Sequence, residues 1–254
     1  MHRSGKPERA RIPSEQMYFS CWSLDPIASM ALAERCRAEG VTVLAAVSMA
    51  FMQAFRDVRG PGGLGKVNAM VNARGLMPHM RADMLFGLAP GVALHTKGLP
   101  PRDDTAADDF WVRGRAIKED LTRRIDRFRA GLYQMLVALE RLHDIYPRLV
   151  SYFEQTPAIP HLTLSNMGRL DLPEQYRSFR IERVQSPLVM VSPTPANTVV
   201  ISSFGGRMEF AIVSDEQSLP HAEAIAIRQR AMDILRVCAA FPANANTKAA
   251  TSHA

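Results

Sequence analysis

The chain has 254 residues, 47% of them apolar, which is enough to close a core and excludes collagen-like, mucin-like and wholly disordered polymers. Its three cysteines, Cys21, Cys36 and Cys238, are too few and scattered for a disulfide framework or a metal knuckle, so a reducing, cytoplasmic setting without a metal site is expected. The net charge is +6, but +3 of it lies in the first 12 residues, and the Arg-rich stretch 102–129 holds eight basic residues beside seven acidic ones; nucleic-acid binding is not expected.

Residues 1–20 read as a linker or disordered leader, and because no apolar h-region follows the charged start, a secretory signal is not expected. One folded domain is expected over 21–241, followed by a polar, disordered tail at 242–254. No internal repeat or change of composition divides it. Asp25-Pro26 supplies an N-cap and a preset first helical residue, and Ile27, Met30, Ala31, Ala33 and Cys36 keep helical spacing until Gly40. Thr42 then caps LAAVSMAFMQAF, a helix apolar nearly all round that has to be central. The apolar run 41–55 falls short of the ~20 residues of a membrane span, and none is expected.

After the glycine-rich turn 60–65, KVNAMVN (66–72) and GVALHT (91–96) have strand character. Thr105 and Asp108 form a capping box, and Phe110, Ile117, Leu121, Ile125 and Phe128 make one stripe of a long amphipathic helix. A further helix covers 131–144, with a shorter continuation after Pro147. Strands are predicted near 161–165, 179–185, 198–204 and 207–214, the last two joined by the hairpin pair Gly205-Gly206. Pro220 opens a closing helix with Ile225, Met232, Leu235 and Ala239 toward a sheet. The order describes an α/β fold, a mixed, largely antiparallel sheet packed by helices.

Gly60 to Gly65 formally matches G-x-G-x-x-G, but it follows a helix and precedes a strand, so no helix N-terminus meets a phosphate there. His79 and Asp83 have base-and-orienter spacing, yet Gly75, Pro78 and Gly87 favour a loop. His143 at a helix end suits the dipole, and His161, at a strand start, is the more interesting imidazole. The carboxylates Asp103, Asp104, Asp108 and Asp109 suit the first turn of the long helix. Neither a G-x-S-x-G elbow nor H-E-x-x-H nor C-x-x-C occurs, and Cys36 and Cys238 read as inert packing in helices.

The segment HLTLSNMGRLDLP (161–173) ends a strand in Ser-Asn-x-Gly, which sets small polar groups at the mouth of a sheet while Gly168 lets a ligand approach the backbone. Together with ALAERCRAEGVTVLAAV (31–47), VNARGLMP (71–78) and DDFWVRGRAIKEDL (108–121), it resembles the C-terminal half of the condensation-domain and chloramphenicol-acetyltransferase-like acyltransferases. The blocks run in that family's order over about residues 17–240.

The resemblance implies a chloramphenicol-acetyltransferase-like lobe, one of two that together move an acyl group from a thioester to an alcohol or amine. In that family the other lobe carries His-His-x-x-x-Asp, whose second histidine takes the acceptor's proton; this chain has no His-His pair, and no catalytic residue is assigned in it. Arg74 matches the arginine that pairs across the lobes with the motif aspartate. Ser165, Asn166 and Gly168 match the strand end lining the channel, although a plain polar strand terminus is an equal reading of them. No tightly bound cofactor is expected, and a CoA or phosphopantetheine thioester is the implied co-substrate. The expected partners are an N-terminal lobe, a second copy of this chain, or an acyl carrier protein. The alternative function is a non-catalytic binding or scaffold lobe, and a third is an enzyme using His161 or His79 across a homodimer.

Overall fold

The computed structural model describes residues 16–77, 81, 89–95, 109–155, 161–186, 197–240 and 250–253. The elements in chain order are β1 (Met17–Leu24), α1 (Pro26–Ala38), α2 (Val43–Arg59), β2 (Lys66–Met70), a short 3₁₀ turn (Ala73–Leu76), β3 (Gly91–His95), α3 (Asp109–Ala130), α4 (Leu132–Glu140), α5 (Leu142–Gln155), β4 (His161–Arg169), β5 (Asn197–Phe204), β6 (Arg207–Asp215), α6 (His221–Ala239) and β7 (Ala250–His253). Thr105 and Asp108, the expected capping box, lie outside the described residues.

Local chemistry sets the helix starts. The Asp25 carboxylate accepts from the Ala28 N–H at 2.8 Å and Pro26 fills the first helical position; Thr42 Oγ1 accepts from the Ala45 N–H at 3.1 Å. The two helices meet at 101° across Gly40, whose φ of +67° only glycine adopts without strain.

Among the described residues the strands form one mixed sheet, ordered β3-β2-β4-β5-β6-β1-β7. β2, β4 and β5 run parallel, and every other neighbouring pair is antiparallel. Alternate side chains of six strands, among them Trp22, Val67, Leu94, Leu164, Ile201 and Phe210, face one way into the core shared with α1, α2, α3 and α6. Trp22 and Phe210, paired across β1 and β6, stack with centroids 5.4 Å apart. α2 lies in the middle with Ala45 to Met52 continuously buried, as its all-round apolarity demands.

Several expectations need correction. The first four residues of β1 fall in the stretch read as leader; among them Tyr18 is a core residue whose hydroxyl donates to the Leu219 carbonyl at 2.5 Å. On α1 the buried stripe is Ala28, Ser29, Leu32 and Cys36, whereas Ile27 and Met30 are 66% and 58% exposed. Ser29 can be buried because its hydroxyl donates to Leu24 O and accepts from Met208 N, a pairing that apolar periodicity does not reveal. On α6, Met232, Leu235 and Ala239 are buried as expected but Ile225 is exposed, its place in the stripe taken by Ala224 and Ile227.

The break expected at Pro147 comes at Arg141, and Pro147 lies inside α5, where its ring removes one backbone donor from the helix. No strand forms over 179–185, because that segment crosses the sheet's face instead of joining an edge. Ala250–His253, within the stretch read as a tail, pairs with β1.

One-sided burial predicts a sharp contrast. Trp22→Ala should cost about 3–5 kcal/mol in urea unfolding, whereas Ile27→Ala should stay within about 0.5 kcal/mol. Equal losses at the two positions would contradict this packing.

Candidate functional site at the carboxyl ends of the parallel strands

Because β2, β4 and β5 are parallel, their carboxyl ends meet at one end of the sheet, the position where open α/β sheets hold ligands. Met70, the last residue of β2, is in register with Ser165 of β4, so the Ser-Asn-x-Gly end and the VNAR segment arrive together. Asn72 Oδ1 accepts from the Arg74 N–H at 3.0 Å and caps the 3₁₀ turn that carries Arg74 just past the end of β2. The Arg74 guanidinium donates to Arg81 O at 3.2 Å. All four residues singled out by sequence, Arg74, Ser165, Asn166 and Gly168, therefore share one sheet end.

The strand end is a built feature. The Asn166 side-chain oxygen accepts from the Gly168 N–H at 2.9 Å, and Gly168 has φ of +72°. Between Asn166 and Arg169 the pairing with β5 slips by one residue, a bulge of the kind that bends a strand and re-aims its side chains. Pairing with β2 stops at Ser165, so the bulge has a strand partner on one side only.

Ser165 points to the face opposite the helices, since its neighbours Leu164 and Leu162 are in the core. On the same face and in one register row stand Asn68, Thr163 and Thr198, from β2, β4 and β5. These half-buried amide and hydroxyl groups make a polar floor leading to Ser165. Sequence reading passed over three of them. Their signal is the two-residue period of KVNAM and HLTLS, apolar at Val67, Ala69, Leu162 and Leu164 and polar between.

The strand histidines stand at other positions along the sheet. His161 pairs with Lys66 at the amino end of β4, four residues and roughly 13 Å along the strand from Ser165. His95 pairs with Lys66 too, and His253 pairs with Tyr18, so the strand histidines all sit at the far end. His79 and Asp83 lie outside the described residues. The thiols offer no nucleophile: burial pushes Cys36 up to about 12 and Cys238 up to about 11, and it raises Cys21 as well. Among the described residues no group of His, Cys, Asp and Glu side chains could hold a metal ion.

Neither a family model nor a curated protein sequence matches the chain. Solved structures do. The trichothecene 15-O-acetyltransferase of Fusarium sporotrichioides matches 88% of this chain with a TM-score of 0.63 at 13% identity. The condensation domain of the monacolin K polyketide synthase matches 96% with a TM-score of 0.55 at 17% identity. The chain shares the fold of this acetyltransferase and this condensation domain. Polyketide synthase associated protein 5 of Mycobacterium tuberculosis also shares this fold, at a TM-score of 0.52 and 13% identity over 88% of the chain. The chain spans about half the length of these three structures, 47%, 51% and 53% respectively.

Within this condensation-type fold the bulge makes its own prediction. Asn166→Ala and Gly168→Ala should each cost about 1 kcal/mol, through the lost hydrogen bond and through strain at positive φ. Because both act on one turn, the double variant should lose measurably less than the summed single losses in urea unfolding. Strict additivity would mean that the two do not share a structural role.

Proposed function

We propose that this chain is the C-terminal lobe of a thioester-dependent acyltransferase, moving an acyl group from a CoA or carrier-protein thioester to an alcohol or amine, and that it works when a second lobe supplies the base. The observation that carries this reading is a polar strand end, with Arg74 beside it and the strand histidines at the opposite end, in a chain half as long as its fold relatives. Ser165, Asn166 and Gly168 would line the channel, with Asn68, Thr163 and Thr198 extending its floor. Arg74 would pair with a carboxylate of the other lobe, a role suited to a planar bidentate donor.

In the reaction the acceptor's lone pair attacks the thioester carbonyl carbon, the C–S bond breaks, the acceptor's proton goes to the imidazole of the other lobe, and the thiol leaves protonated. A positioned base contributes about 10²- to 10⁴-fold, so this chain by itself should turn over little. The cytoplasm, where CoA thioesters and reduced thiols coexist, is the matching setting.

A second reading, a binding lobe without catalysis, is favoured by the exposed apolar side chains of α4 and α5, among them Tyr133, Leu139, Ile145 and Tyr146. Such a surface suits a partner subunit, and the net charge of +6 suits an acidic carrier protein.

Co-expression with a polypeptide bearing His-His-x-x-x-Asp should co-purify the two and give acyl transfer that Arg74→Ala reduces at least tenfold. Absence of both complex and transfer would overturn the acyltransferase reading. Salt-sensitive binding of a carrier protein without any transfer would favour the second. At high concentration and without a mate, the exposed α4–α5 surface should drive self-association, and a strictly monomeric sedimentation profile would count against an interface there.

A further inference from the structure

Residues 170–186, between the Ser-Asn-x-Gly strand end and β5, dock on Ser202 and Ser203 of β5 and Glu209 of β6, with the side-chain contacts on the face opposite the core helices. At one end the Leu170 N–H donates to Ser203 O at 2.8 Å. The middle closes on itself: Tyr176 N–H donates to Phe179 O at 2.9 Å, Ile181 N–H to Glu174 O at 2.8 Å, and the Tyr176 and Phe179 rings stack with centroids 4.6 Å apart. At the other end Arg183 clasps Glu209 of β6 with two hydrogen bonds, Nε to Oε1 at 2.8 Å and Nη2 to Oε2 at 2.7 Å. The Ser186 hydroxyl meets Ser202 Oγ at 2.9 Å and Glu209 O at 3.0 Å.

This attachment is polar almost throughout. No side chain in 171–185 is buried, and Phe179 is 57% exposed. The Glu209 side chain, by contrast, is 2% exposed, a carboxylate on the helix-free face closed in beneath the arginine. Cys21 of β1 occupies the same face, two residues from Ser23, the register partner of Glu209. Its thiol is buried and feels both Arg183 and Glu209. A segment with little apolar contact, held by one ion pair and one hydroxyl cluster, detaches at small hydrophobic cost because water can take over each polar contact.

We propose that residues 170–186 form a strap that opens as a unit, with Arg183 and Glu209 as its clasp, and so control access to the β5–β6–β1 part of the helix-free face. Arg183 is then a positioning residue for the strap. The inference depends only on this geometry and stands whether or not the lobe takes part in acyl transfer.

The three cysteines make it measurable in the full-length chain. Cys21 lies beside the clasp, two residues from Ser23, which pairs with Glu209; Cys36 is buried on α1, and Cys238 is half-buried on α6. Iodoacetamide labelling followed by peptide mass mapping gives a separate rate for each. Arg183→Ala should speed labelling of Cys21 by at least roughly tenfold while leaving Cys36 unchanged, and Arg183→Lys, which keeps the charge but loses the bidentate fork, should give a smaller rise. If Arg183→Ala does not fold, Arg183→Lys and Ser186→Ala carry the same expectation. Cys21 and Cys36 accelerating together would mean general loosening, and an unchanged Cys21 rate would mean the clasp does not govern access; either result overturns the proposal.

Discussion

The constraint on which the rest of this structure depends is the two-residue period of a sheet that buries only one face in helices. Val67, Ala69, Leu162, Leu164, Val199, Ile201, Phe210 and Trp22 all turn toward α1, α2, α3 and α6, and α2 in particular has to be covered nearly all round. A slip of one residue in any central strand would exchange its core side chains for the polar ones between them. That coupling is why the opposite face is specified as firmly as the core.

The consequence for chemistry lies on that second face. Asn68, Thr163, Thr198 and Ser165 are where they are because their sequence neighbours are needed inside. The parallel run of β2, β4 and β5 gathers their carboxyl ends, and the Asn166–Gly168 bulge then frees the last residues of β4 from regular pairing. Arg74 reaches the same end through a turn whose cap is its own neighbour, Asn72. Among the described residues this strand end offers hydrogen-bonding groups and the Arg74 cation, while the strand histidines stand at the other end of the sheet.

The strap adds a different kind of contact. Most of this protein is held by apolar burial, which is lost only when elements separate completely, whereas Arg183 and Glu209 join a surface segment to a buried carboxylate by two directed bonds. Removing the arginine would leave Glu209 buried without its charge partner, a more costly state than either the closed or the hydrated arrangement. Among the described residues the face opposite the core helices thus has half-buried polar groups on β2 and β4 and the Arg183–Glu209 clasp on β6.

Much of this was legible from residue order alone. Caps at Asp25 and Thr42, the all-apolar α2, the long α3 stripe, the Gly205-Gly206 hairpin and the Ser-Asn-x-Gly strand end are local chemistry, decided within a few residues of chain. What local chemistry could not decide is which of two nearly equivalent faces each element buries, and where distant segments meet. Ile27 and Met30 look like core residues until Ser29 finds partners in Leu24 and Met208, which lie in other elements. β1 reads as leader until β6 pairs with it, and 179–185 reads as a strand until Arg183 ties it across the sheet to Glu209. Residue order specified most helices, the β5–β6 hairpin and the Ser165–Gly168 strand end, because turns, caps and periodicity act over neighbouring residues, but it left the polar row of Asn68, Thr163 and Thr198 unread. Only the tertiary structure decided that Arg74 and Ser165 share a sheet end while His161 stands at the other, because strand direction and register come from packing between residues far apart in the chain.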